Sequence, residues 1–218
     1  LNNVTFNAKG HRRLSAQRIA VNTLPKPHIK GEMSTQEGFG KILAEIAKEQ
    51  TELADRIVTT SPDVTVSTNL GGWVNRRALY SKTPKTDVFR ELKLMSPQRW
   101  DAHEKGQHLE LGIAENNLFL NLAALGLSSS LFGERLLPIG TLYDPFIARG
   151  LDALNYACYQ DSRFMLVSTP SGITLAPEGG AHQSIGTPLI GLSQANLLSY
   201  EPTYVDELTT LMEWGFGY

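Results

Sequence analysis

Residues 109–127 decide the fold, and they read LELGIAENNLFLNLAALGL. The beginning of this stretch, Leu109 to Ile113, is a short apolar run that is typical of a strand. The part from Ala114 to Leu127 predicts a helix, because leucines at positions 118, 122 and 125 recur on one side of it. A strand that passes directly into an amphipathic helix indicates one step of an alternating α/β fold.

The same alternation extends on both sides of this segment. Further strands are predicted at 56–60, 136–139, 164–168 and 196–200. Further helices are predicted from Ser34 onward, at 146–160 and at 203–214. Strands and helices that alternate at this spacing predict an α/β fold with three layers, in which a mainly parallel sheet carries helices on both faces.

The loops at one edge of this sheet are the expected place for a binding site. In parallel sheets, ligands bind outside the carboxyl ends of the strands, where the loops leave the sheet. These loops cover residues 61–75, 112–116, 140–146 and 169–184. The segment from Thr68 to Trp100 reads as long and irregular, and we expect it to serve binding or an interface.

Composition excludes several classes of function. The chain has 218 residues, which is enough to form one α/β domain. Its formal net charge is -2, which does not indicate a nucleic-acid binder. No apolar run reaches the ~20 residues that a membrane helix needs. The single cysteine, Cys158, excludes an internal disulfide and fits a reducing, cytoplasmic setting. We therefore expect a cytoplasmic protein without membrane or nucleic-acid partners.

The chain divides into an arm and a domain. Residues 1–33 are polar and contain Pro25 and Pro27, which predicts an arm or interdomain linker. The domain is expected over 34–218, and Ser34 and Glu37 have the spacing of a capping box at its first helix. The first residue is not methionine, which suggests a piece of a longer chain.

Four residues of the site loops are candidates for chemistry on position alone. Glu115 stands where the strand gives way to the helix, and an acid there interacts favourably with the helix dipole. His182 lies in a glycine-flanked loop, where a histidine is either functional or simply exposed. Tyr143 and Phe146 follow a strand and open a helix, where aromatics commonly pack. No spacing of ligand side chains is typical of a metal site, so none is predicted in this chain.

Four motifs, in this order along the chain, resemble the transketolase-like family of thiamine-diphosphate enzymes. The sequence SPD at 61–63 resembles the loop after the first strand of that family. EKGQ at 104–107 with GIAE at 112–115 resembles the segment that carries the key glutamate in homodimeric pyruvate dehydrogenase. Pro138 to Phe146 resembles the passage that places aromatics over the aminopyrimidine, and EGGAHQ at 178–183 resembles the histidine loop of transketolase.

The resemblance covers roughly residues 34–215 and implies the pyrimidine-binding, central domain of such an enzyme. In this family a glutamate bonds the aminopyrimidine of thiamine diphosphate and activates the cofactor, and Glu115 matches it. His182 matches a histidine beside the reacting carbon, so Glu115 and His182 are the implied catalytic residues. The implied cofactor-binding residues are Asp63, Ile113, Glu115, Tyr143 and Phe146.

The resemblance also implies what this chain lacks. The diphosphate and Mg²⁺ ligands of the family lie on a Gly-Asp-Gly motif of a separate domain, and no such motif occurs here. Mg²⁺ is therefore expected to bind through a domain absent from this chain. The family places its cofactor between subunits, which implies a homodimer and a diphosphate-binding domain of the same enzyme as partners. This fragment alone is expected to be inactive.

Three functions remain open on the sequence. The first is 2-oxo-acid decarboxylation by an enzyme similar to the pyruvate dehydrogenase E1 component. The second is ketol transfer between sugar phosphates, as in transketolase, which calls for basic side chains in the cleft such as Arg76, Arg77 or Arg149. The third is a non-catalytic assembly domain, because an α/β fold does not by itself imply a reaction.

Overall fold

A six-stranded parallel sheet runs through the middle of the molecule. The computed structural model describes residues 18–21, 23–27, 31–83 and 85–218. The strands are β1 (Ile57–Ser61), β2 (Leu79–Tyr80), β3 (Ala102–His103), β4 (His108–Glu110), β5 (Leu137–Leu142) and β6 (Met165–Ser168). Their order is β3-β2-β4-β1-β5-β6, and all neighbours pair in parallel. The α/β fold with a mainly parallel sheet is thereby confirmed.

Helices follow most of the strands. The α-helices are α1 (Thr35–Ile46), α2 (Glu52–Arg56), α3 (Gly71–Arg77), α4 (Val88–Glu91), α5 (Glu115–Gly126), α6 (Ser128–Phe132), α7 (Leu151–Tyr159), α8 (Thr187–Ser193) and α9 (Val205–Gly217). Shorter 3₁₀ helices cover Asp144–Gly150, Ala176–Glu178 and Gly180–His182. Within the described ranges, none of these helices is long and apolar enough to cross a membrane.

Two apolar clusters cover the two faces of the sheet. One joins helices α1, α2, α3 and α9 to the sheet, and the other joins α5 and α7 to it. Strand β5 shows how: Leu137 and Ile139 belong to the first cluster, whereas Leu142 belongs to the second. Side chains alternate between the faces of a strand, so one strand serves both layers. The three-layer arrangement predicted from the sequence is confirmed.

Helix α1 begins with one half of the predicted capping box. The Ser34 hydroxyl accepts a hydrogen bond from the backbone N–H of Glu37 at 3.1 Å, which satisfies an N–H that the helix itself leaves free. The Glu37 carboxylate pairs with Lys41 at 2.9 Å, one turn further along the helix. Upstream, Ile19 and Leu24 of the predicted arm are buried against the cluster that contains α1. The predicted domain boundary at residue 33 stays a prediction.

The predicted strand at 196–200 is wrong. Residues 197–200 have no regular structure, and helix α8 stands just before them, where no helix is predicted. Asn196 adopts a left-handed backbone with φ 61°, which turns the chain out of an extended path. The apolar side chain of Leu197 packs into the core without a strand, so hydrophobicity alone misidentified the element.

Two other elements differ in detail from their sequence predictions. Strand β6 is only half-buried because it lies at the edge of the sheet, although its apolar sequence predicts a buried strand. The helix predicted at 146–160 consists of the 3₁₀ helix Asp144–Gly150 followed by α7. At the junction, Gly150 lies so close to α5 that an added Cβ would stand 2.2 Å from the Phe119 ring.

Candidate functional site

All the residues predicted for the site follow the carboxyl ends of neighbouring parallel strands. Asp63 follows β1, Ile113 follows β4, and Tyr143 with Phe146 follows β5. Glu115 opens helix α5, and His182 lies in the long loop after β6. The loops at this edge of the sheet are the ones where ligands bind in open parallel sheets.

Glu115 is a buried acid at the first position of α5. The residue is 8% exposed, and its Oε1 accepts a hydrogen bond from Nη1 of Arg149 at 2.6 Å. The Arg149 side chain is 51% exposed, so the ion pair joins a buried carboxylate to a guanidinium that solvent reaches. Leu118 and Phe119, in the next turn of the helix, are fully buried. Glu115 is thus a buried acid paired with a cation that the sequence analysis did not assign to it.

The aromatic residues form one cluster with His182. The Phe146 and His182 ring centroids lie 5.2 Å apart with the rings nearly perpendicular, and Tyr143 lies 6.0 Å from Phe146 and 6.2 Å from His182. The Arg149 guanidinium stands 3.9 Å from the centroid of the Phe146 ring, within the range of a cation–π contact. The contacts run from Glu115 through Arg149 and Phe146 to His182 and connect both implied catalytic residues.

His182 has one nitrogen without a hydrogen bond. Its Nε2 lies 3.5 Å from the Glu178 carboxylate, one turn back in the loop. Its Nδ1 is buried and, among the described residues, has no hydrogen-bond partner. An unsatisfied buried polar atom costs roughly 1–3 kcal/mol, so a bound molecule that pairs with it would gain from the contact.

Asp144 fastens the loop after β6 onto the end of β5. Its Oδ2 accepts a hydrogen bond from the backbone N–H of Gly172 at 3.1 Å, and its own N–H donates to the carbonyl oxygen of Pro170 at 3.3 Å. Burial raises the pKa of the Asp144 carboxyl, and the hydrogen bond from the backbone N–H of Gly172 opposes this rise. Through Asp144, the loop that carries His182 is held beside Tyr143 and Phe146.

Glu110 and His108 form a second, partly buried network at the same edge. The ring of His108 is fully buried, with Nδ1 2.8 Å from the Thr59 hydroxyl and Nε2 3.0 Å from the Thr65 hydroxyl. Thr65 donates to Glu110 Oε2 at 2.6 Å and also contacts the Ser61 hydroxyl at 2.6 Å. The sequence analysis did not single out these residues, although alternate polar positions in a strand buried on one face are a usable signal.

Burial and hydrogen bonding shift the pKa of Glu110 in opposite directions. Burial alone would raise the pKa of this carboxyl, but the nearby His108 ring and the hydrogen bonds from Thr65 and the backbone N–H of Asp63 outweigh it. Together they lower the pKa to about 2. The group therefore carries a negative charge throughout the neutral pH range.

Of the three arginines considered from the sequence, only Arg149 contacts a predicted site residue. Arg77 precedes β2, and its guanidinium donates to the carbonyl oxygen of Ala47, to Asp55 and to Gln107 at the amino ends of the strands. Arg76 is exposed on the same helix. In the part of the chain that the structure describes, no three or more His, Cys, Asp or Glu side chains are grouped so that they could hold a metal ion.

Comparison with known proteins gives one family. A profile of the pyruvate dehydrogenase E1 component middle domain matches residues 22–217. The pyruvate dehydrogenase E1 component of Pseudomonas aeruginosa is 28% identical over 187 residues, which cover 84% of this chain and 21% of that protein. Its counterpart in Escherichia coli is 26% identical over 240 residues, which cover 97% of this chain and 26% of that protein. The chain spans about a quarter or less of the length of these curated relatives.

Solved structures show the same fold. Transketolase from Campylobacter jejuni superposes with a TM-score of 0.69 at 16% identity, over 91% of this chain and 26% of the enzyme. Transketolase from Leishmania mexicana superposes with a TM-score of 0.69 at 17% identity, over 87% of this chain and 24% of the enzyme. Since the profile match extends over nearly the whole chain, the chain belongs to the family of pyruvate dehydrogenase E1 component middle domains.

Proposed function

We propose that this chain binds the aminopyrimidine of thiamine diphosphate and activates the cofactor for decarboxylation of a 2-oxo acid, as the middle domain of a longer enzyme. The observation that carries the proposal is the position of Glu115. Its carboxylate is buried at the head of α5 and joined through Arg149 to the aromatic ring of Phe146. A buried acid close to aromatic rings suits a flat heterocycle, because the rings can stack on it while the acid hydrogen-bonds a ring nitrogen that exchanges a proton.

The residues at this edge fit an aminopyrimidine ring. Tyr143 and Phe146 offer aromatic surfaces to stack on, and Ile113 adds an apolar side chain that is 79% exposed. The buried Nδ1 of His182 lacks a partner within the described ranges, so a polar group of a ligand can satisfy it. We assign the cofactor-binding contacts to Asp63, Ile113, Glu115, Tyr143 and Phe146.

Each residue has a definite task in the proposed reaction. When bound, thiamine diphosphate supplies the nucleophilic carbon that decarboxylation of a 2-oxo acid requires. Glu115 holds a proton between its carboxylate and the ring nitrogen of the pyrimidine, while Tyr143 and Phe146 orient the ring. Tyr143 is itself held by the hydrogen bond from its hydroxyl to Ser67 at 2.7 Å. His182 bonds a substrate oxygen or transfers a proton beside the reacting carbon.

Arg149 favours a 2-oxo acid over a sugar phosphate as the substrate. Recognition of a sugar phosphate calls for several basic groups around the cleft. Arg77 is occupied at the opposite edge of the sheet, which leaves Arg149 as the arginine of those three that is beside the site. Arg149 itself pairs with Glu115, so a substrate carboxylate would share this one guanidinium with that acid. Ketol transfer is the second candidate, favoured by the similarity of the fold to transketolases.

The remaining parts of the active enzyme lie outside this chain in our proposal. A diphosphate-binding domain of the same enzyme supplies the Mg²⁺ ligands, and a second subunit completes the site in a homodimer. The apolar side chains of Ile185, Leu189 and Leu192 are 93%, 65% and 82% exposed, and burial in such an assembly would remove them from water. Without these parts, the isolated chain is inactive.

The test is Glu115→Gln in the full-length enzyme, with the exposed residue Glu104 as the matched control. Glu115→Gln should lower decarboxylation of a 2-oxo acid by about 10²-fold or more, because it removes the proton-holding carboxylate. Glu104→Gln removes the same charge from an exposed position and should leave the rate within about twofold. If Glu115→Gln retained its activity within a small factor, the activating role would be wrong and the assembly-domain interpretation would gain.

A further inference from the structure

A single carboxylate joins the loop of Asp63 to the loop of Ile113. Glu110, the last residue of β4, accepts hydrogen bonds through Oε1 from the backbone N–H of Asp63 at 2.8 Å and from that of Gly112 at 3.2 Å. Its Oε2 accepts the Thr65 hydroxyl at 2.6 Å. Hydrogen bonds to an ionised carboxylate are stronger than those between neutral groups. The two loops are therefore tied to one another through the side chain of Glu110.

The two residues that donate to this oxygen share an uncommon backbone conformation. Asp63 has φ 65° and Gly112 has φ 65°, both in the left-handed region. Glycine adopts that region freely, whereas aspartate does so at a cost that local hydrogen bonds must offset. Because Glu110 bonds the N–H groups of both turns, it helps to hold the two conformations that direct Asp63 and Ile113 outward.

The carboxylate is itself held from the buried side of the sheet. The Thr65 hydroxyl lies 3.0 Å from Nε2 of His108, and the Thr59 hydroxyl lies 2.8 Å from Nδ1 of the same ring. His108, Thr59 and Thr65 are all buried. This chain of contacts ends at Glu110, whose side chain is 28% exposed. The buried contacts therefore fix the position of the Glu110 carboxylate, and the carboxylate in turn holds the two loops.

We propose that Glu110 is a positioning residue that fixes Asp63 and Ile113 for the aminopyrimidine ring. Asp63 and Ile113 are both exposed to solvent, in the loops that leave this edge of the sheet. A ring that binds between preorganised groups loses less free energy in ordering them. Glu110 touches no reacting atom in this proposal and acts only through the two loops. The proposal rests on the proposed function, because it concerns the same cofactor site.

The test compares Glu110→Gln with Thr59→Val in the full-length enzyme. Glutamine has no charge, so its single carbonyl oxygen makes weaker hydrogen bonds to the two backbone N–H groups, and its amide nitrogen cannot accept from the Thr65 hydroxyl. Thr59→Val disturbs the other end of the same buried network and contacts neither loop. Hydrogen exchange of the backbone amides of Asp63 and Gly112 reports on the loops without reference to activity. Calorimetry with thiamine diphosphate and Mg²⁺ reports on binding.

We expect Glu110→Gln to speed exchange at both amides and to raise the dissociation constant of thiamine diphosphate, each by about tenfold. Thr59→Val should lower stability yet keep the dissociation constant within about twofold. Glu110→Asp, which keeps the charge but is one methylene shorter, gives the same comparison if the glutamine variant does not fold.

Two results would overturn the positioning role. One is unchanged exchange at Asp63 and Gly112 in the Glu110 variants. The other is an equal loss of affinity in Thr59→Val, which would make the effect one of general stability. If the unmodified full-length enzyme did not bind thiamine diphosphate, the proposed function would fail instead. The exchange measurement would still decide whether Glu110 fixes the two loops.

Discussion

Glu110 stays ionised although its partial burial favours the neutral form of the carboxyl. Its carboxylate has neighbours on three sides: the Thr65 hydroxyl and the backbone N–H groups of Asp63 and Gly112. Their hydrogen bonds favour the ionised form and, together with His108, lower the pKa from the ordinary value near 4.5 to about 2. A group whose pKa is lower in the folded protein stabilises the fold while it stays ionised.

Acid should therefore remove stability at this residue. The contribution of Glu110 is complete above about pH 5 and is lost as the pH falls from there towards 2. The change in pKa corresponds to about 3 kcal/mol, which screening by solvent reduces to about 1–2 kcal/mol. Urea unfolding of the wild type and of Glu110→Gln should show that the difference in free energy of unfolding shrinks over this range. A difference that stays constant from pH 7 to pH 2 would contradict the assignment.

The candidate residues were predictable from the sequence, but their partners were not. Glu115 stands at a visible strand-to-helix passage, and His182 follows Gly179, Gly180 and Ala181 in a loop, so both positions carry a local signal. The partner of Glu115 is Arg149, 34 residues later in the chain, and the partner of Glu110 is Thr65, 45 residues earlier. Such contacts depend on how strands are ordered in the sheet, and no local pattern reports that order.

At the scale of elements, prediction succeeded where periodicity and topology agree. Helix α5 begins one residue after its predicted start, because leucines at helical spacing face a buried layer. Prediction failed at residues 196–200, where the apolar run does not pair with the edge strand β6 and Asn196 has a left-handed backbone with φ 61°. A short run with two leucines and one tyrosine fits a partly buried loop as well as a strand, and hydrophobicity alone does not distinguish the two.

The contact between α5 and the start of α7 offers a test of this packing. Gly150→Ala should lower the free energy of unfolding by about 1–3 kcal/mol, because overpacking a filled core forces side chains to shift. An added Cβ would stand 2.2 Å from the Phe119 ring and 3.2 Å from Cα of Asn116, both on α5. Gly186→Ala is the matched control, since no atom lies within 4 Å of its added Cβ. Equal stability of the two variants, measured by chemical denaturation, would contradict the close approach.

At the scale of the whole molecule, the candidate residues gather on one side of the sheet. Aromatic rings, a buried acid and a histidine meet at one edge of the sheet. No cluster that could hold a metal ion occurs among the residues described here. The relatives from Pseudomonas aeruginosa and Escherichia coli are about four times as long as this chain, because 84% and 97% of the chain cover only 21% and 26% of their lengths. The proposed function accordingly divides the cofactor between this chain and other parts of an enzyme.

Calorimetry with thiamine diphosphate and Mg²⁺, on this chain and on the full-length protein, tests that division. We expect the full-length protein to bind and the isolated chain to bind at least about 10²-fold more weakly, because a diphosphate bridged by Mg²⁺ needs oxygen ligands, and the described part of the chain gathers no three or more acidic, histidine or cysteine side chains that could hold a metal ion. Titration with thiamine, which lacks the diphosphate, is the control. The two proteins should differ less in their affinity for thiamine than in their affinity for thiamine diphosphate. Tight binding of thiamine diphosphate by the isolated chain would mean that it holds diphosphate ligands of its own. Binding by neither protein would leave the non-catalytic assembly domain as the better interpretation, since the fold would then persist without its cofactor.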